Sequence, residues 1–558
     1  MRDQDDGYKW RLLILVLILF ATILGLLGRI VYLGIIKHSF LLDQSNIRSV
    51  REVSVPAHRG MITDRSGRPL AISIPVASIW VNPKLFNATS DQMAQLALLL
   101  NVPRKTLQQK IIGQKQRGFV YLKRSLPLEL VAKITALHIP GIFSERSYKR
   151  YYPEADAMAH VVGFTNIDDK GQEGLELAYD SWLRGVPGKM RVVKDCLGNT
   201  VTNLGVIAEP QQGRDLMLTI DRRVQYLAYH ELKKTVEEYN ADSGSVVILA
   251  VKTGEVLAMT NFPSYNPNSR SGIFPGRFRN RAVTDVFEPG STIKPLTIAN
   301  ALNSGKYTPD SVVDTNPGRL EVGGHIIVDD KGINNGVLTV TGVLRKSSDI
   351  GTSKITLSLP KNSLLNLLKN VGFGQSTQSG FPGEAEGVLP DYPKMPPIVL
   401  ANLSYGYSIS VSLLQLAQAY AALASYGLLH PVTFIKRDKP ESGKQVLSPK
   451  VCRQMLAMLE EVIDIGTGRR AQIPGYRVGG KTGTAYIASP RGGYYKDRYF
   501  ATFVGIAPVS DPQLVAAVVI KNPHGPYRGG RVAAPVFADI MNGTLRILGI
   551  PPDAKESI

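Results

Sequence analysis

The residues whose types and spacing best suit chemistry are a serine and a lysine in the stretch EPGSTIKP. Ser291 precedes Lys294 by three positions, and Pro289-Gly290 ends the segment before them. If a helix begins at Ser291, both side chains lie on one face, and Pro295 is tolerated in the first turn. A serine hydroxyl becomes a nucleophile when a base removes its proton, and a lysine with a lowered pKa is such a base. The helix N-terminus also offers backbone N–H groups to a developing oxyanion.

Two more motifs with reactive side chains follow along the chain, Ser347-Ser348-Asp349 and Lys481-Thr482-Gly483. Each motif alone is weak, because an isolated Ser-x-x-Lys is more often a helix cap with an exposed lysine. Look-alikes occur as well. Ser358-Leu-Pro-Lys361 has a proline between its ends, and Lys252-Thr253-Gly254 fits a hairpin turn. The order of the three motifs, more than any one of them, indicates a site built around a serine nucleophile.

Residues 475–482, GYRVGGKT, also match a phosphate-binding loop. Such a loop must leave a buried strand and begin a helix whose N-terminus binds the phosphates. Pro474 precedes the match, and the residues after Lys481, TGTAYIASPRGGYYKD, are rich in glycine and β-formers without a helical period. We therefore reject a nucleotide-binding function.

The composition restricts the remaining kinds of site. Lys and Arg outnumber Asp and Glu by 65 to 46, and the net charge of +19 favours anionic partners. The densest basic run, 104–124, lacks the aromatic interleaving of a base-stacking surface, so we expect no nucleic acid. Cys196 and Cys452 lie far apart and the eight histidines form no ligand motif, so we expect no metal site. Whether the two cysteines pair is left open.

An apolar run near the N-terminus predicts a membrane anchor. Residues 12–28 carry no charge, and the run resumes after Arg29 as far as Ile36, which is long enough to cross a bilayer. The stretch is apolar on every face, unlike a helix of a soluble core, and no cleavage site follows it. We predict a cytoplasmic tail at 1–11, a single transmembrane anchor at 12–36 and the rest of the chain outside the cytoplasm.

The first part of the remaining chain has mixed patterning. Two short strands are expected around a turn at Ser66-Gly67, and a helix is expected over 90–101 with Ser90 or Asp91 as its N-cap. Residues 205–215 are polar and turn-rich, as in a linker.

From Leu216 the patterning tightens and predicts the α+β class. The expected elements are a strand, an N-cap at Asp221 with a helix, a hairpin over 243–260, a helix over 410–427, and two β-rich runs on either side of Asp511-Pro512. Strands at both ends of a helix-rich middle predict an antiparallel sheet closed by the two chain ends and packed with helices.

The sequence around the three motifs resembles class B penicillin-binding proteins. The resemblance is carried by RAVTDVFEPGSTIKP, GVLTVTGVLRKSSDIGTSKI, GTGRRAQIPGYRVGGKTGTA and GGRVAAPVF, and upstream by RGMITDRSGRPLA and RYYPEADAMAHVVGFTN. Within the class, RAVTDVFEPGST is similar to the division-specific type, penicillin-binding protein 3. The resemblance implies a non-catalytic pedestal module of dimerisation type at 39–205 and a serine β-lactamase-like transpeptidase domain at 214–558.

Such proteins are D,D-transpeptidases of the inner membrane, with the catalytic domain on the periplasmic side. The resemblance implies a substrate, peptidoglycan stem peptides ending in D-Ala-D-Ala, and covalent inhibition by β-lactams, without a cofactor. The chain has no region suited to a glycosyltransferase module, so a partner glycan polymerase and cell-division membrane proteins are implied as well.

The resemblance also implies roles for individual residues. Ser291 would attack the substrate carbonyl, Lys294 would serve as the base, and Ser347 would relay the proton to the leaving amine. Lys481 would supply positive potential to the substrate carboxylate. The implied substrate-binding residues are Asp349, Thr482, Gly483 and Thr484, and the implied oxyanion hole consists of the backbone N–H groups of Ser291 and Thr484.

Asp349 departs from the family pattern, which has Asn at this position. Asn offers two N–H donors, whereas an ionised Asp offers none, so substrate recognition by this residue is in doubt. Two alternatives to the transpeptidase stay open. One is a membrane-bound β-lactam sensor or β-lactamase-like hydrolase, which would not need the upstream module; the other is a non-catalytic cell-wall scaffold.

Overall fold

The computed structural model describes residues 4–195, 200–391 and 395–554. Two compact units are formed, and neither is continuous in sequence: 1–58, 75–148 and 185–212 form the first, and 59–74, 149–184 and 213–558 form the second. Cys196 lies outside the described residues, so the question of its pairing does too. Cys452 is a free, buried thiol.

The α-helices of the described residues, α1 to α18 in chain order, are Gln4–Val31, His38–Ser49, Ser90–Leu100, Arg104–Ile112, Leu128–Thr135, Ala155–Val162, Gly174–Ala178, Asp180–Leu183, Arg222–Glu238, Arg281–Thr284, Lys294–Asn303, Val340–Lys346, Asp349–Leu357, Ser363–Asn370, Pro397–Ser404, Leu413–Ala424, Pro449–Asp464 and Gly529–Ile547.

The strands, β1 to β23, are Val50–Val55, Ile62–Thr63, Pro69–Val81, Val120–Leu126, Ile142–Tyr151, Phe164–Thr165, Gly171–Glu173, Gly188–Lys194, Thr200–Ala208, Leu216–Met217, Ser243–Ala250, Val256–Phe262, Val286–Phe287, Val312–Asp314, Arg319–Val322, His325–Val328, Val337–Thr339, Val411–Ser412, Leu428–Leu429, Lys444–Gln445, Gly479–Ala488, Tyr494–Ala507 and Leu514–Lys521.

The first unit contains the apolar N-terminal helix and two β structures. Helix α1 continues through a π-helical turn, and the stretch Lys9–Ile36 is long and apolar enough to cross a membrane, with a mean hydropathy of 2.7 in its most apolar 18-residue window. Strands β1, β8 and β9 form an antiparallel sheet. A separate core lies where α3, α4 and α5 pack on β3 and β4, and it includes Ile79, Leu96 and Leu122.

The second unit is built on a five-stranded antiparallel sheet in the order β12-β11-β23-β22-β21. Alternate residues of β11 enter different cores, with Val246 and Ile248 packing beside α9 and α18, and Val247 and Leu249 packing on the side of α16. Both faces are therefore covered, which explains why the central strands are almost wholly apolar. The predicted α+β class and the sheet closed by the two ends of the domain are confirmed.

Several local predictions need correction. Helix α3 is capped by Thr89 and not by Ser90 or Asp91, since Thr89 and Gln92 form a reciprocal capping box. The predicted helix over 410–427 is shorter, Leu413–Ala424, because residues 411–412 pair with β13 and Ser412 caps the helix. Residues 205–208 of the predicted linker belong to β9.

Candidate active site

Ser291 lies on a tight turn that leads into a buried helix. Gly290–Ile293 is a 3-10 turn, and α11 begins at Lys294 with Pro295 in its first turn. Every residue from Lys294 to Leu302 is buried, whereas Ser291 is half-buried. Gly290 has φ +52, a conformation that favours glycine. The serine therefore faces an accessible surface while the lysine one turn later is enclosed.

Lys294 reaches the Ser-Ser-Asp motif with its amine. Its Nζ donates to the backbone oxygen of Ser347 at 2.6 Å and lies 3.3 Å from the Ser347 Oγ. The same Nζ is 2.5 Å from Oδ1 of Asp349. The Lys294 side chain is fully buried and that of Asp349 is 29% exposed. An ion pair thus lies at the position where the resemblance implies a base and an amide.

The Ser-Ser-Asp motif forms the corner between two helices. Ser347 ends α12 in the left-handed conformation with φ +59, and Ser348 caps α13 through its hydroxyl. Asp329 fixes this corner from outside, because its carboxylate accepts from the Ser348 Oγ at 2.8 and 3.0 Å and from the Ile350 N–H at 3.0 Å. A non-glycine residue held at positive φ stores strain of roughly 1 kcal/mol.

Lys481 approaches the same serine from the sheet. It lies on β21 and is fully buried, and its Nζ donates to the Ser347 Oγ at 2.9 Å and to the Thr482 backbone oxygen at 3.1 Å. The contacts therefore run without a break from Asp349 through Lys294 and Ser347 to Lys481. The Ser347 hydroxyl thus brings together three segments that are far apart in sequence, namely those of Lys294, Ser347 and Lys481.

Burial and mutual charge set the electrostatics of this chain of contacts. Burial lowers the pKa of Lys481 well below its ordinary value, the nearby charge of Lys294 lowers it further, and Asp349 opposes both effects. Burial raises the pKa of Asp349, and the attraction of Lys294 and Lys481 does not fully offset it. The site thus favours a neutral Lys481 and resists ionisation of Asp349.

The residues after Lys481 line the strand beside Ser291. A Cβ on Gly483 would lie 3.0 Å from the Pro289 oxygen and 2.8 Å from Thr292 Cγ2, so β21 passes directly along the serine turn. The Thr484 Oγ1 accepts from the Gly529 N–H at 3.1 Å. Because β21 is the last strand of its sheet, its outer edge borders the serine. The backbone oxygen of Thr484 would lie 3.4 Å from a Cβ on Gly290, the residue before Ser291.

Three supporting residues are missing from the sequence-based predictions. Asp329 fixes the Ser-Ser-Asp corner, Gly529 contacts Thr484, and the hydroxyl of Thr467 lies 2.9 Å from that of Thr482. Thr467 and Gly529 fall within the stretches GTGRRAQ and GGRVAAPVF, which carry the resemblance. Asp329 has no sequence signal, because it is recognised only through its contacts with α13.

The look-alike motifs lie elsewhere. Ser358 follows the end of α13, and its Oγ donates to the Ile355 oxygen at 2.7 Å. Lys252 lies in the turn between β11 and β12 and pairs with Asp511 at 3.1 Å. Residues 475–482 begin a strand and no helix, which agrees with the rejection of a phosphate-binding loop.

Comparison with known families gives two matches. The model of the penicillin binding protein transpeptidase domain matches residues 244–542, and that of the penicillin-binding protein dimerisation domain matches residues 54–218. The two models together cover most of the chain, and the first alone includes Ser291, Ser347 and Lys481.

Whole-length relatives agree with these matches. The chain is 44% identical over 556 residues to the Pseudomonas aeruginosa protein named probable peptidoglycan D,D-transpeptidase PbpC, covering 99% of this chain and 97% of the relative. It is 41% identical over 559 residues to peptidoglycan D,D-transpeptidase FtsI of Escherichia coli K12, covering 99% and 94%. The structure of penicillin-binding protein 3 from Mycobacterium tuberculosis, complexed with ampicillin, is 27% identical with a TM-score of 0.70, covering 91% and 98%.

Proposed function

This chain belongs to the penicillin-binding protein transpeptidase family, and on that premise we propose that it is a peptidoglycan D,D-transpeptidase of the division-specific type. Its substrates are stem peptides ending in D-Ala-D-Ala, which it joins through an acyl-enzyme. The observation that carries the proposal is the meeting of Lys294, Ser347 and Lys481 at one hydroxyl beside the Ser291 turn.

In the proposed acylation, the Ser291 Oγ bonds to the carbonyl carbon of the penultimate D-Ala. Its proton passes to Lys294 Nζ and then through the Ser347 hydroxyl to the amine of the departing D-Ala. The Ser347 Oγ suits a relay because both lysine amines lie within 3.3 Å of it. In the second step an amine of another strand attacks the ester, and its proton returns by the same route to Ser291.

The strand β21 would hold the substrate. The hydroxyls of Thr482 and Thr484, which contact Thr467 and Gly529, would bind the terminal carboxylate of the donor, and Gly483 would leave room for its backbone. The backbone N–H groups of Ser291 and Thr484 would stabilise the oxyanion. Lys481 adds positive potential when protonated.

Asp349 limits this mechanism in its ionised form. An ionised carboxylate 2.5 Å from Lys294 pairs with the amine of that lysine and occupies one of its donors. It also turns an acceptor toward the amide of the donor, where the family has a donor. We therefore propose that Asp349 binds substrate through its protonated form, which its raised pKa favours.

The surroundings of the enzyme are part of the proposal. The helix over 9–36 would anchor the chain once in the inner membrane, with the remainder in the periplasm and a short tail at 1–11 in the cytoplasm. Residues 39–205 would form the pedestal module and 214–558 the transpeptidase domain, whose compact unit is completed by 59–74 and 149–184. The proposed partners are a glycan polymerase and cell-division membrane proteins, since the two matched domains are a transpeptidase and a dimerisation domain.

The test is labelling of the full chain with a fluorescent penicillin. We expect one adduct per chain, mapped to Ser291 by mass spectrometry, and no labelling of Ser291→Ala. The rate at which the label leaves separates the alternatives, because a transpeptidase retains the acyl group and a β-lactamase-like hydrolase releases it within seconds. Absence of labelling in the folded parent protein would favour the scaffold and overturn the proposal.

A further inference from the structure

A cavity of about 380 Å³ in the second unit has a positively charged lining. It is lined by Lys331, Gly525, Pro526, Tyr527, Arg528 and Arg531. Three of these six residues are cationic and none is anionic. The proposed acylation chemistry uses none of them, so the cavity has no assigned role.

One wall of the cavity is attached to the Ser-Ser-Asp corner. Lys331 follows by two positions Asp329, whose carboxylate accepts from Ser348 and Ile350. The Gly332 N–H donates back to the Asp329 oxygen at 2.8 Å, and this turn holds Lys331 at φ 58 and ψ 19. A lysine rarely adopts this left-handed conformation. The position of Lys331 is therefore set by the segment that carries Ser347 and Asp349.

The opposite wall is attached to the Lys-Thr-Gly strand. A Cβ on Gly529 would lie 2.2 Å from the Gly483 oxygen, and the Gly529 N–H donates to Thr484 Oγ1 at 3.1 Å. Arg528 and Arg531 flank this contact and belong to one turn, since the Arg531 N–H donates to the Arg528 oxygen at 2.8 Å. The cavity thus lies between the two segments that frame the serine.

An ion pair between Arg528 and Asp330 joins the two walls, and the cavity lining keeps a net positive charge. Arg528 pairs with both carboxylate oxygens of Asp330, at 2.7 and 3.0 Å. Within the described ranges, Lys331 and Arg531 have no carboxylate partner. A half-enclosed space with two uncompensated cations is complementary to an anion, and a guanidinium suits a planar carboxylate in particular.

We propose that this cavity is a subsite for a carboxylate of the peptide bound at Ser291, distinct from the terminal carboxylate that Thr482 and Thr484 would hold. The inference rests on the proposed transpeptidase function. The carboxylate belongs to an acidic residue of the donor peptide or of the acceptor strand, and the same chemistry would attract a β-lactam with an acidic side chain.

The donor is tested with pairs of acylating compounds that differ in one carboxylate. Suitable pairs are N-pentanoyl- and N-glutaryl-D-alanyl thioesters, and benzylpenicillin with its α-carboxy derivative. The proteins are the parent, the double variant Lys331→Gln/Arg531→Gln, and Lys361→Gln, which removes an exposed lysine outside the cavity. The measured quantity is the ratio of acylation rate constants, acidic over neutral compound. We expect the double variant to lower this ratio by about three- to tenfold and Lys361→Gln to leave it unchanged.

The acceptor is tested by adding D-glutamate or D-glutamine to the acyl-enzyme and measuring how the acyl group divides between transfer and hydrolysis. If the double variant selectively loses its reaction with the acidic donor or with the acidic acceptor, the subsite is supported, and the experiment that shows the loss identifies the strand that uses it. Unchanged ratios in both arms, with normal acylation by the neutral compounds, overturn the subsite alone. If the parent is acylated by none of the compounds, the transpeptidase function fails and the subsite fails with it.

Discussion

The tripeptide Lys-Thr-Gly occurs twice in this chain, in two surroundings that give it different properties. At 252–254 it forms the turn of a hairpin, where the Lys252 side chain is 59% exposed and pairs with Asp511. At 481–483 it lies in β21, where Lys481 is fully buried and contacts Ser347. The second lysine loses its hydration, and this burial lowers its pKa well below the ordinary value. The tripeptide carries chemistry where the fold buries it against a partner.

The two Ser-x-x-Lys sequences also differ in their structural surroundings. Ser291 lies in the 3-10 turn that leads into α11, and Lys294 follows within the same helical turn as the first residue of that helix. Ser358 ends a helix, and its hydroxyl is occupied by Ile355 and Tyr307 at 2.7 and 2.8 Å. Pro360 then separates it from Lys361, which is exposed. The first two of the following four predictions test this contrast between buried motifs and their look-alikes, and the other two test buried groups.

The largest effect is expected at the two serines. Ser291→Ala should abolish covalent labelling by penicillin, because it removes the proposed nucleophile. Ser358→Ala should label at the parental rate, since this hydroxyl only satisfies local hydrogen bonds. Rates are measured by gel fluorescence with folding checked by circular dichroism. If labelling were lost in Ser358→Ala and kept in Ser291→Ala, the assignment of Ser291 as the nucleophile would be wrong.

The next largest effect on acylation is expected from Lys481, in contrast to Lys252. Lys481→Ala removes one partner of the Ser347 hydroxyl, and acylation should fall by about a hundredfold or more. Lys252→Ala removes one exposed ion pair and should change acylation by less than about twofold. Stopped-flow measurement with benzylpenicillin gives both constants, and the thermal midpoint of each variant shows whether the loss is one of folding. Equal losses in the two variants would mean that burial does not distinguish them.

Unlike the substitutions above, Asp349→Asn should raise the rate of acylation at neutral pH, by about ten- to a hundredfold. The amide restores a donor toward the substrate and releases the ion pair with Lys294. The advantage should shrink as pH falls, because burial raises the pKa of Asp349 and protonation makes the carboxyl a donor in the parent as well. The ratio of the two rates is measured at several pH values, so that pH effects shared by the two proteins cancel.

Asp349→Ala is the matched control for this substitution. It removes the negative charge without adding a donor, so it should recover only part of the gain. An Asn variant that acylates no faster than the parent would show that Asp349 does not limit the reaction.

The smallest effect concerns a buried group away from the site. Burial lowers the pKa of His160 to about 4, while its Nε2 bonds the Arg277 oxygen at 2.8 Å. His160 of the unfolded chain takes up a proton near pH 6.5, whereas His160 of the folded chain does not. The contribution of His160 to the free energy of unfolding is therefore fully present above pH 6.5 and is lost as the pH falls toward 4. We expect a loss of about 1.4 kcal/mol in unfolding free energy between pH 8 and pH 5.5 from this residue.

Urea unfolding at several pH values measures this loss, and His160→Gln, which keeps a donor for Arg277, should flatten the profile. An unchanged profile in the variant would place the acid sensitivity in other groups.

Sequence reasoning predicted the elements with strong local signals. The hairpin over 243–260, the N-cap at Asp221 and the terminal strands were foreseeable, because apolar alternation and capping depend on neighbouring residues. The helix over 410–427 was predicted too long, since residues 411–412 pair with β13, a partner more than a hundred residues earlier. Asp329 was missed altogether, because its role exists only through its contacts with Ser348 and Ile350.

By itself, the sequence determined the spacing of Ser291 and Lys294 on one helical turn and the apolar anchor, both of which depend on consecutive residues. The tertiary structure alone decided that Lys294 meets Asp349, that Lys481 meets Ser347, and that Lys331 and Arg531 share one cavity. Each of these contacts joins segments far apart in the chain, so its distance depends on how whole helices and strands pack. The charge states of Lys481 and Asp349 follow from the same packing, because the removal of water shifts their pKa values.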